Sequence, residues 1–222
     1  MIFNYAIRNG WRSNQNPAQW NGNLEFDLPA THPFAPVRHL TAIELGDLKK
    51  IARLFFEKAG VGHLAVLFGV LTASRSREFV LADWSEIDLK KKVWAVPSER
   101  RKDRKPYPHR VPLSTWCVKV LMKLPTRSGA LFPGQNMAHI NVETPRITLV
   151  KALHKKTTMH GCRSTFRDWC AENGKDPVLA EKSLMHATGN AVQLAYQRSD
   201  LLEQRRVLMQ EWANTVMSLI ET

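Results

Sequence analysis

W-A-V-P-S-E-R-R-K-D-R-K-P-Y-P-H-R-V-P-L-S, residues 94–114, is the stretch on which the architecture turns. It opens on an apolar, β-branched run, passes through a basic segment broken by Pro106 and Pro108, and returns to V-P-L. That is the pattern of two strands joined by a charged hairpin. With Trp84 to Leu89 before them, Val93 to Pro97 and Val111 to Leu113 predict a small antiparallel sheet. Nearly everything outside it has helical spacing, so the expected class is mainly α with a small antiparallel β-sheet (α+β).

Upstream, T-A-I-E at 41–44 has the form of a capping box ahead of Leu45, Leu48, Ile51, Ala52, Phe55 and Phe56. A uniformly apolar stretch from His63 to Thr72 predicts a buried helix that ends just before S-R-S-R-E, leaving Arg75 at a helix end. Downstream, helices are expected at Ser114 to Leu124, Asn141 to Ala152, His160 to Asn173 with Gly174 as stop, Pro177 to Met185, Ala191 to Tyr196 and Leu201 to Ile220. D-L-L-E at 200–203 offers the last of these a second capping box. Its Leu201, Leu208, Trp212, Val216 and Leu219 face suits core or a neighbouring subunit. Residues 2–9 read as a helix end stopped by Gly10, and residues 13–38, rich in Asn and Pro, as linker or extended chain.

The 222-residue chain carries 32 Lys and Arg against 20 Asp and Glu, a formal charge of +12, which points to a polyanionic partner and above all to nucleic acid. The excess is local. Nine basic residues fall between Lys90 and Arg110 against Glu99 and Asp103, either a solvated face or a phosphate track. Cys117, Cys162 and Cys170, an odd number without C-x-x-C spacing, argue against a disulfide framework or structural zinc and fit a reducing cytosol. No apolar run reaches the ~18 residues of a membrane span, and the first residues lack a signal-peptide core.

One set of residue types suits metal-free attack on a phosphodiester: Arg75, Lys102, His160 and Arg163 in H-G-C-R, His186 and Tyr196. A phenol can become a covalent nucleophile once cations or a base lower its pKa from near 10. Two guanidiniums can hold the charge of a pentacoordinate phosphate, while histidine and lysine move protons. H-G-C-R on the first turn of a helix puts His160 and Arg163 on one side, near the helix's positive end.

The order and setting of these residues resemble the catalytic domain of tyrosine recombinases, in particular phage- and genomic-island-type integrases. L-T-A-S-R-S-R-E (71–78), W-S-E-I-D-L (84–89), W-A-V-P-S-E-R-R-K (94–102), H-R-V-P-L-S (109–114) and L-F-P (131–133) look like that family's blocks. So do H-G-C-R-S-T-F-R-D-W (160–169), L-M-H-A-T-G-N (184–190), A-Y-Q-R-S-D (195–200) and R-R-V-L-M-Q-E-W-A (205–213). The resemblance runs in order from about residue 40 to the end, and implies the DNA breaking-rejoining fold for 40–222. Residues 1–12, with F-N-Y-A-I-R-N-G-W at 3–11, resemble the tail of a core-binding helical domain, and 13–39 would be the linker. The chain would then be an excised fragment or a truncated product, with weak, salt-sensitive DNA binding.

By this resemblance Arg75 and Arg163 clamp the scissile phosphate and Lys102 protonates the leaving 5′-oxygen, with Lys105 a weaker alternative. His160 would assist proton transfer at the tyrosine, His186 would bond to the phosphate, Tyr196 would form the 3′-phosphotyrosine bond, and Glu78 would support the first arginine. Neither metal nor cofactor is expected. Lys91, Lys92, Arg100, Arg101, Arg104, Lys105 and Arg110 are the expected DNA contacts. Arg77 departs from the family's usual small residue and either meets phosphate or faces solvent.

The implied activity is site-specific integration or excision of a mobile element. The implied partners are double-stranded attachment sites, further copies of the chain on DNA, an excisionase and host DNA-bending proteins, with no membrane. The implied setting is a bacterial cytoplasm, on the nucleoid when DNA-bound. The alternatives are a catalytically silent DNA-binding remnant and a type IB topoisomerase-like activity.

Overall fold

At the centre of the fold is a helix with almost no polar face, α4 (Val61–Thr72), in which every residue from Leu64 to Thr72 is buried. Such a helix must be covered on all sides, and the other elements supply the cover. The computed structural model describes residues 2–28, 42–103, 105–186 and 199–220. Contacts divide the chain into two units, Met1–His39 and Leu40–Thr222.

The first unit holds α1 (Ile2–Arg8), closed at Gly10 with φ 71°, and a kinked turn at Trp20–Leu24 running into the single helical turn α2 (Glu25–Asp27). Residues 20–27 are thus turned where an extended linker was expected. Gly22, with φ 74°, provides the reversal and the Glu25 carboxylate receives its N–H.

In the second unit, α3 (Leu45–Lys58) buries Leu48, Ile51, Ala52 and Phe55 at helical spacing and stops at Ala59, whose left-handed backbone returns its N–H to the Phe55 carbonyl at 3.0 Å. The expected capping box is not formed. The helix starts at Leu45 with Glu44 as N-cap and no side-chain cap, and Thr41 lies outside the described residues. After α4, the five-residue α5 (Ser76–Val80) leads through a 3₁₀ turn at Trp84–Glu86 into the sheet: β1 (Ile87–Asp88), β2 (Val93–Val96) and β3 (His109–Pro112), antiparallel in the order β1-β2-β3. The β2–β3 register pairs Trp94 with Val111 and Val96 with His109. Trp94 is fully buried, its ring 5.3 Å from that of Phe68 and its indole N–H donating to Glu86 at 2.9 Å.

The remaining helices are α6 (Thr115–Met122), α7 (Thr144–Leu153), α8 (Met159–Glu172), α9 (Pro177–Ser183) and α10 (Leu202–Met217). Ser114, Thr158 and Asp176 accept backbone N–H groups as N-caps of α6, α8 and α9. Helix α7 begins three residues later than the sequence predicts, because Asn141 spends its carbonyl and side chain on the preceding turn. The second expected capping box also fails: Leu201, with φ 52°, is the N-cap of α10, Asp200 pairs with Arg110, and Glu203 pairs with Arg206. Helix α10 buries Leu208, Trp212 and Val216 as expected, whereas Leu219 lies past its end and is exposed, and the Trp212 N–H donates to the Val70 carbonyl at 2.9 Å. Rings of Phe166 and Trp169 lie 5.4 Å and 5.3 Å from Trp212, locking α8 to α10 over α4. No described helix is long and apolar enough to cross a membrane.

Two neighbouring helices reach α4 because residue 69 is glycine. A Cβ there would stand 2.5 Å from the Phe79 ring on α5 and 2.9 Å from Met159 at the start of α8. Gly69→Ala is therefore expected to lower stability by about 1–3 kcal/mol in thermal or denaturant melts. Gly46→Ala, where a Cβ meets nothing within 4 Å, should cost nothing. A Gly69 variant as stable as the parent would show that the α4–α5–α8 seam is not close-packed.

Candidate active site

The tight seam at Gly69 delivers the ends of three helices to one place. Helix α4 closes at Ala73 in the left-handed conformation, with Ser74 N–H bonded back to the Gly69 carbonyl at 3.2 Å. The Ala73 carbonyl is thereby turned outward. Two residues on, Arg75 is the N-cap of α5, and Glu78 holds it at both ends. Oε2 accepts the Arg75 backbone N–H and Oε1 accepts Nη1, both at 2.9 Å. Glu78 is buried, whereas the Arg75 side chain keeps 23% of its surface in solvent. Glu78 and Arg75 thus form a direct ion pair, and Arg77 is exposed.

Arg163 projects from the second turn of α8 and is only 4% exposed. Backbone, not carboxylate, holds it. Nη1 donates to Ala73 O at the end of α4, and Nη2 donates to Leu184 O at the end of α9 at 2.8 Å. Nη2 also reaches His186 Nε2 at 3.2 Å, while the buried Nε finds no acceptor among the described residues. Desolvation, and then the charge of Arg75, lower the Arg163 pKa to about 10. The guanidinium remains charged at neutral pH.

His186 follows the end of α9. Because Nε2 accepts from Arg163, the ring proton sits on Nδ1 and is donated to Glu181 Oε2 at 2.7 Å. Burial lowers the His186 pKa against the pull of Glu181, and the charges of Arg163 and Arg75 lower it further. His160, exposed on the first turn of α8, is lowered by partial burial and then by Arg163, Arg75 and Lys102. Lys102 itself is exposed on the β2–β3 turn. Five of the six residues picked from the sequence therefore stand in one electrostatic neighbourhood. The sixth, Tyr196, lies outside the described residues.

Glu181 is the participant the sequence reading missed. Besides orienting His186, it receives Arg167 Nε at 3.2 Å. Its only signal is E-K-S-L-M-H, with the carboxylate on the last turn of a helix and the histidine just past it.

The basic run divides. Lys91, Lys92 and Lys105 are exposed, and Lys91 pairs loosely with Asp88 at 3.5 Å. Arg100 and Arg101, read from the sequence as DNA contacts, are instead turned into the fold. Arg100 bonds to Glu86 and the Leu81 carbonyl, and Arg101 to Asp103 and the Tyr107 carbonyl. Arg110 is exposed but joined to Asp200 by two bonds of 2.8 Å. Arg104 lies outside the described residues. Arg101, Lys105, Tyr107, His109, Lys182 and His186 are among the residues lining a cleft of about 630 Å³ next to the arginine pair.

All three cysteines are buried free thiols. Burial raises Cys162 and Cys170 to about 12 and Cys117 to about 11, so none is a nucleophile at neutral pH. Among the described residues, no group of three or more His, Cys, Asp or Glu is placed to hold a metal.

Residues 41–202 match the phage integrase family. The chain is 33% identical over 230 residues to the prophage integrase IntZ of Escherichia coli K12, covering 99% of this chain and 54% of that protein. It is 35% identical over 156 residues to the prophage integrase IntA of the same organism, covering 68% of this chain and 37% of IntA. It therefore spans about half or less of these relatives' length. Among solved structures, the integrase from mycobacterium phage Brujita superimposes with a TM-score of 0.60 at 16% identity, over 97% of this chain and 73% of that one, and so shares the fold.

The depressed histidines fix the sign of a pH effect. His109, buried on β3 beside Arg205 and Arg101, is pushed well below 6.5, first by burial and then by those charges; His160 and His186 are lowered too. A histidine whose folded pKa lies below its unfolded value contributes stability that is fully present above pH 6.5 and is lost as pH falls from there toward the folded value. The melting temperature should drop on acidification from pH 7 to 5, and less steeply in His109→Asn. A flat profile in the parent would contradict neutral, buried histidines.

Proposed function

The chain belongs to the phage integrase family, and on that premise we propose that it cuts and reseals DNA strands through a covalent 3′-phosphotyrosine link, for site-specific integration or excision of a mobile element. The observation that carries this reading is the arginine pair. Arg163 is buried without a bonded carboxylate and is depressed by desolvation and then by Arg75. The site's two carboxylates are already engaged, Glu78 by Arg75 and Glu181 by His186 and Arg167, so positive charge is concentrated where a phosphate would arrive. Charge held in this way costs free energy in the empty site and stabilises an arriving phosphate, most of all when that phosphate gains charge in the transition state.

The proposed step balances as follows. The Tyr196 phenolic oxygen attacks phosphorus, losing its proton toward His160 or water. A Tyr–O–P bond forms, the P–O5′ bond breaks with its electron pair on the 5′-oxygen, and Lys102 gives that oxygen a proton. Neutral His160, its pKa lowered by partial burial and then by three nearby cations, is in the correct form to accept a proton at pH 7. Neutral His186 presents Nε2 only as an acceptor from Arg163, so its bond to a phosphate oxygen requires both release of that arginine nitrogen and a proton on Nε2. Resealing runs the same step backward and conserves the phosphodiester energy. The exposed Lys105 at the cleft and Lys91 and Lys92 on the β1–β2 turn are contacts for double-stranded DNA, with further copies of the chain on a second site.

A pool of nicked duplexes randomised around the nick, from which the cleaved fragment can diffuse away, tests the reading. The parent chain should become covalently attached to DNA, and Tyr196→Phe should not. Equal adduct yields with both would remove Tyr196 from the mechanism, and no adduct with either would leave a DNA-binding module without cleavage activity. On a trapped sequence, Arg75→Ala and Arg163→Ala should each slow single-turnover cleavage by about 10²-fold or more, roughly 3 kcal/mol. Losses confined to binding affinity would reassign the pair to docking.

A further inference from the structure

The β2–β3 ladder ends at the Val96–His109 pair, leaving residues 97–108 to form the connection that carries Lys102. Apart from a 3₁₀ turn at Ser98–Arg100, the connection has no hydrogen-bonded ladder of its own among the described residues. A lysine on an unbraced connection of that length would seldom stand where a proton is needed. In this chain the connection is cross-braced. Arg101 and Asp103 flank Lys102 and close on each other, with Arg101 Nε donating to Asp103 Oδ1 at 2.8 Å and Nη2 to Oδ2 at 2.7 Å. Nη1 crosses to the Tyr107 carbonyl on the returning limb at 3.0 Å, and the guanidinium lies over the Tyr107 ring, 5.0 Å from its centroid. One residue earlier, Arg100 ties the outgoing limb to Glu86 and the Leu81 carbonyl.

Exposure alternates accordingly. Arg101 is 8% exposed although it sits in the most basic stretch of the chain, and Lys102 beside it is open to solvent. All three guanidinium nitrogens of Arg101 are engaged, and the bidentate fork that would match a phosphate, Nε with Nη2, is already closed on Asp103. The brace is in place in the free protein, where the charge of Lys102 already depresses His160.

We propose that Arg101 is a positioning residue for the reaction: paired with Asp103 and bonded to the Tyr107 carbonyl, it fixes the turn so that the Lys102 ammonium is presented to the leaving 5′-oxygen. The inference rests on the reading of Lys102 as proton donor given above. It assigns to Arg101 a task that a lysine cannot perform, because only the planar fork makes two parallel bonds to one carboxylate while a third nitrogen spans the turn. With the backbone fixed, only the lysine side chain remains to be ordered in the transition state.

The test uses two versions of a trapped nicked duplex, one with the normal bridging 5′-oxygen and one with sulfur in its place. A thiolate leaves without being protonated, so the sulfur substrate bypasses whatever Lys102 supplies. Arg101→Lys, which keeps the charge but loses the fork, and Asp103→Asn, which keeps the shape but loses the charge, are compared in single-turnover cleavage at saturating protein, with melting curves to confirm folding. Both variants are expected to cleave the oxygen substrate about 10-fold or more slowly and the sulfur substrate at the parental rate, with unchanged affinity for DNA. Equal losses on both substrates, or no loss on either, would overturn the proposal. Lys102→Ala is the reference: if sulfur fails to rescue it, the reading of Lys102 falls, whereas rescue of Lys102→Ala without rescue of Arg101→Lys sinks the positioning role alone.

Discussion

A guanidinium taken out of water and bonded to no carboxylate is the constraint on which the rest of the structure depends. Arg163 is nearly buried, and its charge is met by two main-chain carbonyls, Ala73 and Leu184, each at the end of a different helix. Those carbonyls are free because a helix leaves its last carbonyl groups without internal partners. For both to converge on one side chain, α4 must stop at Ala73, α9 must stop at Leu184, and α8 must pass between them. The left-handed turns at Ala73 and Met185 end two of these helices, and Gly69 brings the third close. Fold and site are thus one problem, since the packing that excludes water from Arg163 also aims it.

The general outline was legible in the sequence, and the reason is local. Apolar spacing identified α3, α8 and α10, the β-branched runs around the basic turn identified the sheet, and H-G-C-R fell on the first turns of α8 as read. Helix starts were less legible. Asp200 and Glu203 have capping spacing, but Arg110, ninety positions earlier, competes for Asp200 and Arg206 takes Glu203. The same blindness to distant partners explains the basic run: its arginines looked like a phosphate track because Glu86 and Asp200 are joined to it only by folding. Glu181 was missed for the opposite reason, being close in sequence to His186 but contributing through a tautomer that no spacing rule encodes.

Charge in this domain is sorted by side-chain type. Arginines with internal work, Arg100, Arg101, Arg163 and Arg205, are turned inward and bonded to carbonyls or carboxylates, while Lys102 and Lys105 on the β2–β3 connection are exposed. Planar forks suit fixed geometry, and mobile ammonium groups suit a partner that must slide and dock. Arg205 shows the first pattern at the base of α10, where it donates to the Arg110 carbonyl at 2.8 Å and lies beside His109, tying the last helix to β3. Lys182, which donates to the Ser199 carbonyl at 2.8 Å, and the Arg110–Asp200 pair fasten residues 199–200 to α9 and β3.

That Arg163 is seated on peptide carbonyls has a consequence for inheritance. A side-chain partner can be lost by one codon change; a main-chain oxygen is present whatever residue occupies the position. Ala73 and Leu184 can therefore drift in identity without unseating the arginine, provided the helices still end where they do. Flanking side chains are thus free to change while the seat of the arginine travels with the backbone.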